Sequence, residues 1–229
     1  MTHGIFSDKN ENGRYPRQAE IHHEHGWRTL RFDWQGHGDH PVPFDSTTVL
    51  GSVDDLQSVY AFCSERWEED PVNVVASSYG GSLFLLHQSL PPVPALRKVL
   101  LLNPVTDYRH TFYEHVSGEL ASEFSAQVWK SVLSTGHAET APGKVMSRKF
   151  ASELLVLKPY LGFDELTVPV MVLHGTADES VSFDVTKSHS SRSPQVTFQP
   201  ILDADHAFAA PWAERLTFDL IKEWFYVKE

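Results

Sequence analysis

The sequence predicts an α/β fold: a mostly parallel sheet with helices on both faces. Short strand-like runs, at residues 71–77 (PVNVVAS), 98–103 (KVLLLN), 168–174 (VPVMVLH) and 196–202 (VTFQPIL), alternate with helix-patterned stretches. The run at 98–103 is apolar almost throughout, as a strand covered on both faces must be. With 229 residues, 41% of them hydrophobic, the chain has material for one domain with a sizeable core.

The elements follow in order. Residues 12–25 read as a helix, and residues 27–34 (WRTLRFDW) as a strand running into the turn Gln35-Gly36-His37-Gly38. A second helix opens with Ser46 or Thr47 as N-cap and places Val49, Val53, Leu56, Tyr60, Cys63 and Trp67 at spacings of three and four. The strand at 71–77 runs into a small-residue turn and another helix. The last helix sets Trp212, Leu216, Leu220 and Trp224 four apart, a stripe expected to face the sheet. Between Pro104 and Thr167 the alternation stops. That stretch is too long for an ordinary connection, so residues 1–104 and 167–229 are assigned to the core and residues 105–166 to an inserted helical cap. Its aromatics Tyr108, Phe112, Tyr113, Phe124 and Trp129 either line an acyl pocket or form the cap's own small core.

Composition excludes several classes. Nineteen basic against thirty acidic residues leave a formal charge of −11, which repels nucleic acid and anionic membranes. No apolar run approaches the roughly 20 residues that span a bilayer, and the opening MTHGIFSDKN has no signal-peptide pattern. The single cysteine, Cys63, forms no internal disulfide and reads as a buried hydrophobe, so a reducing, cytoplasmic location is expected. His22, His23 and His25 lack the i, i+4 spacing of a helical metal pair and are assigned surface or capping roles. His37 and His40 are read as turn residues, and no metal or organic cofactor is expected.

The chemistry concentrates at VVASSYGGSLFLL, residues 74–86. In a strand-turn-helix reversal sharp enough to expose a nucleophile, the residues two before and two after it must be small. Ser78 satisfies this with Ala76 and Gly80; Ser77 would have Val75 and Tyr79. A serine hydroxyl is weak at neutral pH and needs a base plus a group that orients the base. Asp178 follows the strand ending at His174-Gly175, and His206 lies in DADHAF after the next strand, giving the order serine, acid, histidine. Asp203 and Asp205 compete for the orienting role, but sequence neighbours rarely reach the imidazole correctly. The backbone N–H of Tyr79 is the first oxyanion donor expected, and that of Ile5, in His3-Gly4-Ile5, the second.

Five ordered pieces, His3-Gly4 with SDKNENGRYP, LRFDWQGHGD, ASSYGG, HGTAD and DADHAF, span the chain and resemble the α/β-hydrolases. Within them the chain is similar to the cinnamoyl and feruloyl esterases and serine-aminopeptidase-like hydrolases, although Ala76 replaces the usual glycine and Ser77 the usual histidine or glycine. The resemblance implies a serine hydrolase that cleaves a small-molecule carboxylic ester through an acyl-Ser78 intermediate. LLNPVTDYRHTF also looks similar to thioesterases and acyltransferases acting on carrier-bound chains, so a thioester is the alternative substrate. A non-catalytic binding protein is the other alternative. In such folds a strand precedes the His-Gly and sits between the strands placed at 27–34 and 71–77, with two more before it. The expectation is that these strands are missing, either because the frame opens upstream of Met1 or because a second copy donates a strand in a homodimer.

Overall fold

The computed structural model describes residues 1–67, 71–90 and 95–227. In chain order the regular elements are helices α1 (Arg14–Glu24) and α2 (Val49–Arg66), strand β1 (Val72–Ser77), α3 (Tyr79–His87) and β2 (Leu96–Leu102). Helices α4 (Leu120–Glu123) and α5 (Ala126–Thr135), the strands β3 (His137–Ala141) and β4 (Lys144–Ser147), and α6 (Arg148–Val156) come next. The chain closes with β5 (Val170–Gly175), α7 (Phe183–Ser190), β6 (Val196–Ile201) and α8 (Pro211–Tyr226).

Strands β1, β2, β5 and β6 pair in that order, every pair parallel. The sheet separates two cores. Val74 and Ala76, Val99 and Leu101, and Val170 and Val172 point to the face covered by α2 and α3; Val75, Leu100, Leu102 and Leu173 point to the face covered by α1 and α8. Strand residues that feed both cores cannot alternate with polar ones, which is why β2 reads as an unbroken apolar run. Among the described residues no helix is long and apolar enough to cross a membrane.

Four expectations are corrected. First, residues 27–34 form no regular strand. The segment is held instead by the Met1 ammonium, which donates to the Leu30 carbonyl at 2.8 Å, and by Trp34, whose backbone N–H and Nε1 reach His3 at 3.2 and 3.0 Å. On the β1 side, Thr2 makes an isolated parallel bridge with Ala76, through Thr2 N–H to the Val75 carbonyl and Ser77 N–H to the Thr2 carbonyl, both 2.9 Å. A cavity of about 320 Å³ whose lining includes Trp27, Leu30, Phe32, Val72 and Val74 lies here, and among the described residues no strand pairs with 27–34. Burial of the Met1 ammonium there pushes its pKa down to about 5.

Second, the stripe Trp212, Leu216, Leu220, Trp224 faces the sheet only in its later half: Trp212 and Leu216 are 45% and 41% exposed, whereas Leu220 and Trp224 pack on the lower core and Trp224 Nε1 donates to the Val99 carbonyl at 3.1 Å. The buried row lies one residue on, at Ala213, Thr217, Ile221 and Phe225. Small Ala213 and Thr217 let the helix backbone approach the sheet. Third, α2 starts on Thr48, whose Oγ1 accepts the Gly51 N–H at 2.9 Å, not on Ser46 or Thr47. Fourth, His22 is buried, not at the surface: its ring touches Gln18 and Tyr226, and burial lowers its pKa to about 4. His23 and His25 remain exposed.

Residues 105–166 are not purely helical, because β3 and β4 form an antiparallel hairpin turning at Pro142-Gly143, with Gly143 at φ 71°. Phe112, Phe124, Trp129, Val132, Met146 and Phe150 join the same apolar cluster as the upper sheet face. A 3-10 turn, Pro159–Glu165, then lies on α3, and a Cβ on Gly162 would stand 2.0 Å from the Leu85 carbonyl oxygen. Gly162→Ala should therefore force the two segments apart and cost about 1–3 kcal/mol, read as a lowered urea midpoint at unchanged slope; a midpoint equal to wild type would show the contact to be soft.

Candidate active site

The site lies at the carboxyl ends of the parallel strands, where open α/β sheets leave room for ligands. β1 ends at Ser77 and α3 begins at Tyr79, so a single residue, Ser78, makes the turn, at φ 50° and ψ −114°. Such a conformation costs a non-glycine residue about 1–3 kcal/mol. It is held by neighbours that leave no space: a Cβ on Gly80 would be 2.7 Å from the Thr2 carbonyl oxygen and 2.8 Å from that of His3, and one on Gly81 would meet Pro104 at 2.8 Å. Ala76 is fully buried.

His206 projects from the loop after β6. Its Nε2 is 3.0 Å from Ser78 Oγ and its Nδ1 is 2.7 Å from Asp178 Oδ2. Asp178 sits in the loop after β5 with its carboxylate wholly buried. Oδ1 accepts the N–H groups of Ser180 and Val181 at 2.9 and 2.8 Å, and Oδ2 also lies 3.3 Å from His174 Nε2. Burial opposes ionisation of Asp178, but the hydrogen bonds from His174 and His206 outweigh it and hold the carboxyl well below the usual carboxylate range. Burial likewise favours neutral His206, yet the Asp178 hydrogen bond and charge prevail and raise its pKa above 6.5.

Asp203 and Asp205 are elsewhere: both are exposed, the Asp205 carboxylate accepts the Ala209 N–H at 2.8 Å, and Asp203 N–H donates to Thr176 Oγ1 at 2.9 Å. Glu179 is exposed.

The His3-Gly4-Ile5 loop lies against the nucleophile turn, with a Cβ on Gly4 only 3.4 Å from Ser78 Cβ. His3 is fully buried and locks the loop: its Nδ1 is 2.8 Å from the Gly4 carbonyl and its Nε2 accepts Trp34 N–H. Burial lowers its pKa, so it serves as a neutral clamp. Tyr79, the first residue of α3, has an N–H with no acceptor one helical turn back. The N–H groups of Tyr79 and Ile5 thus belong to segments that border Ser78 from two sides.

Three residues of this neighbourhood were not singled out from the sequence. Asn103, at φ 43°, accepts the Gly175 N–H on Oδ1 at 2.8 Å and donates from Nδ2 to the His206 carbonyl at 2.6 Å, tying the histidine loop to β5. An asparagine directly after an apolar strand is a usable signal, since Asn tolerates the left-handed region better than most residues. Arg14 donates to the Ala207 carbonyl, with its guanidinium 5.4 Å from the Phe208 ring centre. Glu11 accepts the Gly4 N–H at 3.0 Å.

Several solved structures share this architecture. The ferulic acid complex of Est1E from Butyrivibrio proteoclasticus aligns with a TM-score of 0.79 at 18% identity, covering 97% of this chain and 85% of that one. Alpha/beta hydrolase domain-containing protein 10 from mouse aligns at 0.72 and 20% identity, covering 97% and 86%. Monoacylglycerol lipase from Paleococcus ferrophilus aligns at 0.69 and 17% identity, covering 97% and 91%. At these identities the likeness shows the fold. Comparison with curated proteins finds no match. The family model for serine aminopeptidase, S33, matches residues 2–153, more than half of the chain, and the protein belongs to that family of α/β-hydrolases. The match includes the His-Gly loop and Ser78 and stops before Asp178 and His206.

Because Asn103 bonds both β5 and the histidine loop, Asn103→Ala should leave the Gly175 N–H and the His206 carbonyl without their partner and destabilise the fold by about 1–3 kcal/mol. Chemical denaturation checks this, and a loss under a few tenths of a kcal/mol would mean that water replaces the side chain.

Proposed function

We propose that this α/β-hydrolase is a serine esterase that cleaves a carboxylic ester through an acyl-Ser78 intermediate. The observation that carries the reading is the unbroken relay from Ser78 Oγ to His206 Nε2 at 3.0 Å and from His206 Nδ1 to Asp178 at 2.7 Å, built on a residue held in a strained turn. His206 takes the Ser78 proton as Oγ bonds to the ester carbonyl carbon, then returns it to the departing alcohol; water repeats the cycle to release the acid. Asp178 keeps the proton on Nδ1 and stabilises the imidazolium. The N–H groups of Ile5 and Tyr79 receive the carbonyl oxygen as it gains charge. The segment 105–166 supplies a cap over this opening, and Phe124, stacked on Phe6 at 5.9 Å beside the Ile5 donor, gives it an apolar wall.

A fluorophosphonate should label the wild type and fail to label Ser78→Ala. Folded protein that takes no label would overturn the reading in favour of a binding protein. In steady-state assays p-nitrophenyl esters should be preferred to acyl-thioesters of matched length; a strong thioester preference would replace the esterase with a thioesterase. Asp178→Asn should lower kcat by about 10⁴-fold, the scale seen when the orienting acid of such a relay is lost.

The pH profile follows from His206. Protonated imidazole cannot accept the Ser78 proton, so activity is absent well below its pKa and rises as pH increases through it. As Asp178 raises that pKa, kcat/KM should climb with a midpoint above 6.5. A flat profile, or a midpoint below 6, would exclude His206 as the base.

A further inference from the structure

Two imidazoles bond the buried carboxylate of Asp178, and only one of them belongs to the relay. His174, at the end of β5, is fully buried, and its Nε2 lies 3.3 Å from Asp178 Oδ2, the oxygen that His206 Nδ1 meets at 2.7 Å. The Val181 carbonyl oxygen stands 3.1 Å from the same Nε2. Both of these neighbours can only accept, whereas His174 Nδ1 is buried with no hydrogen-bond partner among the described residues. The tautomer that fits carries its hydrogen on Nε2 and shares it between the two oxygens. The ring is firmly seated: it meets Phe183 of α7 edge-on at 5.7 Å and lies nearly parallel to Phe198 of β6 at 6.4 Å. One residue on, a Cβ on Gly175 would be 2.2 Å from the Ala204 carbonyl oxygen, so the strand end presses on the loop that carries His206.

An ionised carboxylate offers about four acceptor positions, and at Asp178 all are used. Oδ1 takes the N–H groups of Ser180 and Val181, while Oδ2 takes His174 and His206. The two backbone bonds on Oδ1 anchor the group without help from His174. On Oδ2 two donors draw on the charge of one oxygen, in a buried place where that charge acts more strongly than it would in water. What His174 takes up is lost to His206.

Resting on the reading of His206 as the base, we propose that His174 is a positioning residue that acts through Asp178, taking up part of the Oδ2 charge and so limiting how strongly the carboxylate holds the His206 imidazolium. A base held too strongly in its protonated form is unavailable to Ser78 near neutral pH and is a weaker acid toward the departing alcohol. Other charges reach His206 from elsewhere. Glu11, before α1, and Glu119, before α4, act on it in the same direction as Asp178, and Arg14 of α1 donates to the next carbonyl, that of Ala207. None of these side chains bonds Asp178, so replacing His174 leaves them in place.

The test compares His174→Leu and His174→Met, which delete the donor, with His174→Gln, whose amide nitrogen sits about where the imidazole Nε2 does. Two midpoints are read: the titration of the His206 ring by NMR in the resting protein, assigned by the signal missing from His206→Asn, and the rise of kcat/KM for p-nitrophenyl acetate with pH. Leu and Met should move both midpoints upward by about half a pH unit or more, and Gln should return them to within about 0.2 unit of wild type. A role confined to packing would lower stability or rate and leave the midpoints where they are. Midpoints that stay or fall in the Leu and Met variants, or a Gln variant that behaves as they do, would overturn the proposal. The wild type supplies a check that needs no substitution: the ¹⁵N shifts of His174 should show its hydrogen on Nε2, and a hydrogen on Nδ1 would overturn the proposal as well. Because the NMR titration needs no turnover, a shifted His206 midpoint in protein that hydrolyses no ester would remove the esterase reading while upholding the coupling of His174 to His206.

Discussion

The site depends on one close approach of two backbones. The turn at Ser78 and the loop His3-Gly4-Ile5 touch so tightly that Gly80 has room for no side chain against the Thr2 and His3 carbonyls, and Gly4 almost none against Ser78. That contact holds Ser78 in a conformation it would not otherwise keep. It also brings the segments of Ile5 and Tyr79 to the same serine. The buried neutral imidazole of His3, bonded to Gly4 and to Trp34, fixes the loop from behind. Strain on one side is thus offset by packing and hydrogen bonds on the other.

The remaining parts arrive through the sheet. β1, β2 and β5 run side by side with both faces buried, so their carboxyl ends are held in register by two cores at once. Asn103 and Asp178, from the ends of β2 and β5, sit close enough to fasten the His206 loop by its carbonyl and its ring respectively. The same burial that would neutralise Asp178 excludes water from it, while two backbone N–H groups and two imidazoles make its ionised form the stable one.

Much of the fold was legible because local rules sufficed. A helix at 12–25 is observed as Arg14–Glu24, and the strands at 71–77, 98–103, 168–174 and 196–202 are observed as Val72–Ser77, Leu96–Leu102, Val170–Gly175 and Val196–Ile201, with ends moved by a residue or two. The misses have physical causes. WRTLRFDW has a strand's composition, but a strand exists only through its neighbours, and among the described residues no strand pairs with this segment. The hairpin of β3 and β4 is short and polar, and its signal was the Pro142-Gly143 turn between alternating residues. α8 carries apolar residues on two adjacent rows, and only the sheet's shape selects the row with Ala213 and Thr217.

At the site, the choice of Ser78 over Ser77 needed no coordinates, because a steric rule about the residues two before and two after acts along the chain. The order Ser78, Asp178, His206 and the early His3-Gly4 were equally visible in one dimension. The sequence favoured Asp178 over the adjacent Asp203 and Asp205, but the contact itself, across 28 residues, comes from the fold. Nor could the sequence show that Asn103, Arg14 and Glu11 gather at the same place. Those contacts join residues far apart in the chain, and distance through space is set by strand order and loop packing, quantities that no local pattern contains.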